Sequence, residues 1–252
     1  MDSLARLRAS STAAFVGPLM GFMLVGTLAG WVRIENSALP WYERAPEHWV
    51  YPLQTLICGW MLWWFRGHYR FSPWTVRGVA LAFALGLIGI GVWVLPAWVY
   101  ENRLAGHESA PAWWEWLGLV ERREGYDPSV LAPWPFWEAV GLAMRFVRMV
   151  IVVPLVEELF WRGFLMRFVV AGDRPFTDVA FGTHAWKAFW IVTLGVTVIH
   201  NPPDMLAAFV WGSLMYLVAV RTRSLGACVV MHAVGNLALG LYVLKTEQWG
   251  FW

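Results

Sequence analysis

The sequence predicts an all-α, polytopic membrane protein, a bundle of about seven to eight transmembrane helices with its site inside the bundle. Composition gives the first indication, because 59% of the 252 residues are hydrophobic and only 14% are charged. Soluble domains contain about 25% charged residues. The second indication is the mean hydropathy of +0.51, which arises from apolar runs that recur along the chain. The 20 tryptophans are consistent with a protein that has many side chains at membrane–water interfaces.

Seven main apolar runs account for the predicted spans. The fourth run is too long for one perpendicular crossing, since at 1.5 Å per residue it would extend about 50 Å against a hydrocarbon core of roughly 30 Å. We therefore expect a kink at or before Pro154. The runs are residues 11–32, 49–65, 78–100, 136–170, 188–200, 205–220 and 224–244.

The spans are expected to form a single integral membrane domain over residues 1–252, without internal repeats. Residues 1–100 contain three amino-terminal spans, residues 101–135 form an interfacial loop, and residues 136–252 contain the remaining spans. Arg and Lys residues outside the spans are more numerous on the amino-terminal side, which predicts a cytoplasmic amino terminus. The net charge of +2 gives no indication of a nucleic-acid partner.

Short sequence features add local expectations. Small residues spaced four apart in the first run, Gly17-x-x-x-Gly21 and Gly26-x-x-x-Gly30, predict a close helix–helix approach. Asp204 is expected to cap the helix that follows it. Cys58 and Cys228 lie in apolar runs and are interpreted as small buried side chains rather than as a disulfide or metal pair. Four histidines are expected to lie in solvated loops, namely His48, His68, His107 and His184.

Ionisable and polar residues within the apolar runs are the strongest functional signal, because such groups are costly in a bilayer. Glu157 and Glu158 are adjacent, and in an α-helix Arg162 would lie on the same face as Glu158 and neutralise it. Glu157 is left without this partner. His200 ends a short apolar run. His232 and Asn236 lie four apart in the last run and therefore share a face.

Each of these groups also has a purely structural interpretation. Glu158 and Arg162 could form an ion pair that ties helices together, and Asn236 could form an interhelical hydrogen bond. His200 could satisfy a helix end beside the Asn201-Pro202-Pro203 turn. The combination of two glutamates, two histidines and an amide in apolar runs favours function over packing.

The same residues resemble three motifs of a known family. Glu157-Glu158-x-x-x-Arg162, His200 and His232-x-x-x-Asn236 are similar, in order, to the E-E-x-x-x-R, F-x-x-x-H and H-x-x-x-N motifs of the CAAX prenyl endopeptidase and bacteriocin-processing family (CPBP, also called Abi). The resemblance extends roughly from residue 136 to the end. The context of the first motif and the aromatic ending resemble the exosortase-associated, CAAX protease-related subgroup. Val196 stands where the second motif has Phe, so we expect a changed pocket shape.

The resemblance implies an intramembrane protease whose catalytic core is residues 136–252. Glu157 and His200 would then activate the attacking water, and His232 with Asn236 would stabilise the oxyanion. Glu158 and Arg162 would support the first motif. No cofactor would be required.

The chemistry of peptide hydrolysis agrees with these roles, since it needs a general base and donors aimed at a developing negative charge. An alternative is zinc held by Glu157, His200 and His232, a ligand set with an open fourth position. No H-E-x-x-H or other i, i+4 histidine pair is present, which favours the metal-free mechanism.

The expected partners are a membrane-associated peptide or protein substrate and the lipid bilayer, and the expected location is the bacterial inner (plasma) membrane. A different class also accounts for the buried polar residues: a transporter, immunity or scaffold protein that uses them for proton or ligand binding. Transporters often contain internal repeats. No repeat is evident here, which disfavours transport.

Overall fold

The computed structural model describes residues 3–36, 38–105 and 111–252, which form helices joined by turns and loops, with no β-strand among them. His107, one of the four histidines expected in solvated loops, lies outside the described residues. The α-helices are α1 (Ser3–Ala9), α2 (Ser11–Val32), α3 (Trp41–Arg44), α4 (Glu47–Trp64), α5 (Val76–Val99), α6 (Trp113–Trp116), α7 (Pro135–Val147), α8 (Val153–Glu158), α9 (Met166–Ala171), α10 (Trp186–Val198), α11 (Met205–Thr222) and α12 (Leu225–Thr246).

Five helical stretches of the described chain are long and apolar enough to cross a membrane. The expected number of seven to eight spans is therefore not confirmed. Helix α4, which corresponds to the second predicted span, is not among the five, and α10 is a shorter apolar helix of 13 residues. The five stretches are Ser11–Val32, Val76–Leu104, Pro135–Ala171, Pro202–Thr222 and Leu225–Thr246.

The chain divides into two compact units. Unit 1 comprises Met1–Tyr69 and Tyr126–Phe160, and unit 2 comprises Arg70–Gly125 and Trp161–Trp252. Glu157 and Glu158 belong to unit 1. Arg162, His200, His232 and Asn236 belong to unit 2.

In unit 1, the glycines of α2 allow α4 to approach closely, as their spacing predicts. A Cβ atom at Gly21 would lie 2.8 Å from the Met61 sulfur, and one at Gly26 would lie 2.8 Å from the Gln54 side-chain nitrogen. Gly17 also faces Met61, whereas no described atom lies within 4 Å of the corresponding position at Gly30. Both glycines of the first pair, Gly17 and Gly21, thus lie against α4, whereas only Gly26 of the second pair does.

His48 is buried in unit 1, so the expectation of a solvated loop histidine is wrong for this residue. It lies in the first turn of α4, with 4% of its surface exposed. Its ring lies 4.4 Å from the ring of Tyr126 and 6.4 Å from that of Trp41, measured between centroids. Neither ring nitrogen has a hydrogen-bond partner among the described residues. Burial lowers the pKa of His48 to about 4.

In unit 2, α5 packs closely against α12 and α11. A Cβ atom at Gly86 of α5 would lie 2.7 Å from the carbonyl oxygen of Met231, which explains why only glycine fits there. Ser224 caps the amino terminus of α12, because its hydroxyl accepts a hydrogen bond from the Ala227 amide at 3.1 Å. Arg223 caps the carboxyl terminus of α11 and adopts the left-handed conformation with φ 51°.

The predicted interfacial loop begins later than expected. A π-helical turn, Tyr100–Leu104, extends α5 into it. The four-residue helix α6 and the 3₁₀ turn Pro128–Leu131 are its other helical elements in the described chain. The loop also makes specific contacts within unit 2, since the carbonyl oxygen of Arg122 accepts a hydrogen bond from the Gly250 amide at 2.8 Å. The end of the chain therefore packs on this loop.

Candidate active site

The Glu157–Glu158 pair lies at the end of α8, between two π-helical turns. These turns are Arg148–Val152 and Leu159–Leu165, within the continuous helical stretch Pro135–Ala171. The first turn ends immediately before Val153-Pro154, so the helix departs from α geometry at the place where the sequence predicts a kink. Most π-turns are single turns inside α-helices, and they frequently occur at functional sites. Arg162 lies in the second turn, where the α-helical spacing behind the predicted Glu158–Arg162 pairing does not apply, and the pairing stays a prediction.

The two glutamates differ in accessibility. Glu158 is fully buried, whereas Glu157 is half-buried. Within unit 1, no described residue forms a hydrogen bond with the Glu157 carboxylate, and Arg148 lies within electrostatic range of it. Glu157 is thus the member of the pair with a carboxylate open to water or a ligand.

Arg148 is held in place by its own neighbours in unit 1. Its Nε donates a hydrogen bond to the Gln54 side-chain oxygen at 2.6 Å, and its guanidinium lies over the rings of Tyr51 and Phe22 at 4.3 and 4.8 Å. Residues nine apart point to opposite sides of an uninterrupted α-helix. The sequence spacing of Arg148 and Glu157 therefore does not predict the electrostatic interaction between them.

His200 and His232 belong to one aromatic cluster in unit 2. The Trp93 ring of α5 lies 5.3 Å from the His200 ring and 6.3 Å from the Trp211 ring. The Trp211 ring in turn lies 5.7 Å from the His232 ring. Asn236 follows His232 by one turn of α12. Helices α5, α11 and α12 and the turn that follows α10 thus bring the two predicted site histidines of unit 2 into one cluster through two indoles.

The tautomer of His200 follows from its hydrogen bond. Its Nδ1 lies 2.7 Å from the carbonyl oxygen of Val196, and because a carbonyl only accepts, Nδ1 must be the protonated nitrogen. In a neutral imidazole the other nitrogen, Nε2, then has a free lone pair. No described residue forms a hydrogen bond with Nε2. A backbone carbonyl makes this contact, so the replacement of the motif's Phe by Val196 leaves it intact.

Trp93 is anchored by an ion pair that the sequence does not reveal. Its indole nitrogen donates to the carboxylate of Asp204 at 3.0 Å, and Arg122 donates to both oxygens of that carboxylate at 2.8 and 3.2 Å. The expectation that the Asp204 side chain caps α11 is therefore wrong. Asp204 occupies the cap position, but its carboxylate makes no cap hydrogen bond and instead orients Trp93 and Arg122. Arg122 and Asp204 are 82 positions apart in the sequence, beyond the reach of local patterns.

Trp211 is fixed by two glycines on neighbouring helices. A Cβ atom at Gly89 of α5 would lie 2.7 Å from its ring, and one at Gly235 of α12 would lie 2.4 Å from it. The indole, 6% exposed, therefore fills a slot that only glycine leaves open on both sides. This packing holds the Trp211 ring against His232.

Metal binding is the open alternative for the predicted residues. Among the described residues, no group of three or more His, Cys, Asp or Glu side chains has an arrangement that could hold a metal ion. Glu157 belongs to unit 1, and His200 and His232 to unit 2. The zinc set stays a prediction from the sequence.

Comparison with known proteins gives one match. A family model described as type II CAAX prenyl endopeptidase Rce1-like matches residues 139–238. The matched stretch includes all six predicted site residues, Glu157, Glu158, Arg162, His200, His232 and Asn236. No curated protein and no solved structure matches the chain. Over this stretch, less than half of its length, the chain is similar to a family of proteases.

Proposed function

We propose that this chain is an integral membrane endopeptidase that hydrolyses a peptide bond of a membrane-embedded or membrane-anchored substrate. The observation that carries the proposal is the family match over residues 139–238, which contains the three polar motifs in order. Five helical stretches able to cross a membrane support a membrane-embedded enzyme. The exosortase-associated subgroup is the proposed branch, and the bacterial inner membrane with a cytoplasmic amino terminus is the proposed location.

The proposed mechanism assigns the base role to Glu157 and the orientation of the same water to His200. The half-buried Glu157 carboxylate has no described hydrogen-bond partner within unit 1, and the Nε2 lone pair of His200 is available as an acceptor. A general base within hydrogen-bond reach of water contributes about 10²–10⁴-fold to a rate. Both groups can therefore accept a hydrogen bond from a water molecule.

His232 and Asn236 are the proposed donors to the tetrahedral oxyanion. They lie one turn apart on α12, so donors from both can point to one side of the helix. Loss of one such donor costs about 10²–10³ in rate in other hydrolases. Glu158 and Arg162 are proposed to support the first motif.

The proposal is tested by comparative proteomics of membrane peptides from cells that carry wild-type protein, Glu157→Gln or Glu138→Gln. Glu138→Gln is the matched control, because it makes the same chemical change in the same helical stretch, at α7. We expect cleavage products with wild type and Glu138→Gln and none with Glu157→Gln, at equal protein levels in the membrane. Normal cleavage by Glu157→Gln refutes the assignment of Glu157 as the general base. The absence of cleavage products with the wild-type protein refutes the proposed protease activity.

The zinc alternative is separated from this mechanism by metal analysis and chelator treatment of the purified protein. The metal-free mechanism predicts full activity after chelation. Stoichiometric zinc, lost together with activity in His200→Ala, contradicts it.

A further inference from the structure

A small cationic cavity lies in unit 1 at the carboxyl end of α4, apart from the candidate site residues. Its volume is about 320 Å³, and it is lined by Arg8, Trp64, Arg66, Gly67 and His68. Arg8 lies in the last turn of α1, Trp64 is the last residue of α4, and the other lining residues form the 3₁₀ turn Arg66–His68 that follows α4. The cavity is thus bounded by the ends of two neighbouring helices.

The two arginines of the cavity are held by tryptophan rings instead of carboxylates. The guanidinium carbon of Arg8 lies 5.1 Å from the centre of the Trp64 ring, and that of Arg66 lies 4.5 Å from the Trp63 ring. One Arg66 nitrogen donates to the Trp63 carbonyl oxygen at 2.8 Å. Neither arginine forms an ion pair with a described carboxylate. Most of their N–H donors are therefore available to an anion.

The surrounding sequence offers no compensating negative charge. Residues 3–34 and 48–69 of unit 1 contain no Asp or Glu. Asp2 lies outside the described residues. Two fixed cations close together without an anion repel each other, and an anionic ligand relieves this repulsion.

His68 gives the cavity a defined shape. Its Nε2 lies 2.8 Å from the carbonyl oxygen of Arg8, and its Nδ1 lies 3.3 Å from the Ser11 hydroxyl. Because the carbonyl only accepts, Nε2 carries the proton and Nδ1 accepts from the hydroxyl. A neutral His68 is thus satisfied on both sides, and it ties the turn that carries Arg66 to the segment that carries Arg8.

The surface beside the cavity is apolar and exposed. Leu4 and Leu7 of α1 are 59% and 51% exposed, and Trp60 and Trp63 of α4 are 57% and 58% exposed. Exposed leucines and tryptophans next to arginines are typical of segments at the headgroup level of a bilayer. Lipid chains can cover this surface while a headgroup enters the cavity.

We propose that this cavity binds the phosphate headgroup of an anionic phospholipid. Arg8 and Arg66 would provide charge-assisted N–H donors to the phosphate oxygens, the arrangement in which a planar guanidinium surpasses an ammonium. Basic pockets between membrane helices are known sites for anionic headgroups. The site is independent of the proposed peptidase chemistry.

The test uses the purified full chain in a neutral detergent and counts bound lipid by native mass spectrometry. Dioctanoyl phosphatidylglycerol is the probe, with dioctanoyl phosphatidylcholine and inorganic phosphate as separate comparison arms. We expect the Arg8→Gln/Arg66→Gln variant to bind phosphatidylglycerol about 30-fold more weakly than wild type, which corresponds to about 1 kcal/mol for each arginine. Phosphatidylcholine, whose headgroup has no net charge, and inorganic phosphate, which has no acyl chains to cover the apolar surface, should both bind far more weakly than phosphatidylglycerol.

Two further variants make the result specific. Arg6→Gln removes an exposed arginine of the same short helix that does not line the cavity, and it should bind as wild type does. Arg8→Lys/Arg66→Lys keeps the charge but loses the planar donors, and it should recover only part of the affinity. Equal binding by wild type and Arg8→Gln/Arg66→Gln overturns the proposal. So does an equal loss in Arg6→Gln, full recovery with lysine, or binding of phosphatidylcholine or inorganic phosphate that is as tight as that of phosphatidylglycerol.

Discussion

Asp204→Ala is expected to destabilise the protein strongly, because it leaves a buried cation without its counter-ion. The side chains of Arg122 and Asp204 are only 8% and 14% exposed, and their ion pair has two hydrogen bonds. Removal of one partner from a buried pair costs about 3–5 kcal/mol. For a chain of this size about 4 kcal/mol corresponds to a fall in melting temperature of roughly 8–16 °C.

The assay is thermal unfolding of the purified full chain in detergent, followed by far-UV circular dichroism. Trp93→Phe keeps an aromatic ring but removes the N–H that donates to Asp204, so we expect a smaller loss of about 2 kcal/mol. The double variant Arg122→Met/Asp204→Leu removes both charges and should lie much closer to wild type than Asp204→Ala does, since apolar replacement of a buried pair is often neutral.

Two outcomes would contradict a buried and desolvated ion pair between Arg122 and Asp204. If Asp204→Ala unfolds within about 1 kcal/mol of wild type, Arg122 is not desolvated as the geometry requires. If the double variant is as unstable as Asp204→Ala, the loss arises from packing around Trp93 and not from an unpaired charge.

Two further predictions concern buried rings. Burial lowers the pKa of His48 from 6.5 to about 4, so the unfolded chain takes up a proton at a higher pH than the folded chain does. The stabilisation by neutral His48 is therefore fully present above pH 6.5 and is lost as the pH falls towards 4. The free energy of unfolding should be about 2 kcal/mol lower at pH 5 than at pH 8, as measured by thermal unfolding at both pH values. This difference should be absent from His48→Phe, and an equal difference in that variant contradicts the prediction. Gly235→Ala should cost about 1–3 kcal/mol in the same assay, because its Cβ would lie 2.4 Å from the Trp211 ring. In the control Gly91→Ala the new Cβ atom has no neighbour within 4 Å, so this variant should be as stable as wild type or slightly more stable. Equal melting temperatures for the two variants contradict the claim that only glycine leaves room for the Trp211 ring.

Features that depend on local spacing could be predicted from the sequence. The apolar runs gave the helices within a few residues, and the Gly17–Gly21 pair gave the close contact of α2 with α4, because glycine spacing acts through the nearest helix turn. The predicted site residues stand out in the sequence for the same local reason: each is a polar group inside or at the end of an apolar run. That Glu157 of unit 1 acts together with His200 and His232 of unit 2 stays a prediction.

Features that depend on distant segments were missed. The contact of Arg122 with Asp204 joins a loop to a helix start across 82 positions, and no periodic pattern encodes it. The sequence predicts a solvated loop for His48 because this residue directly precedes an apolar run, but Tyr126 and Trp41, from other parts of unit 1, cover its ring. The π-turns around Glu157 leave no composition signal, since they arise from one additional residue in a turn of ordinary helix formers.

The packing of the chain's last residues on Arg122 extends the influence of sequence far beyond the three motifs. Phe251 lies under the Arg122 guanidinium at 4.7 Å, and Gly250 binds its backbone carbonyl. Arg122 in turn holds the carboxylate that anchors Trp93 beside His200. A saturation scan of the gene should therefore find intolerant codons in this terminal segment, a region that motif inspection would treat as freely variable.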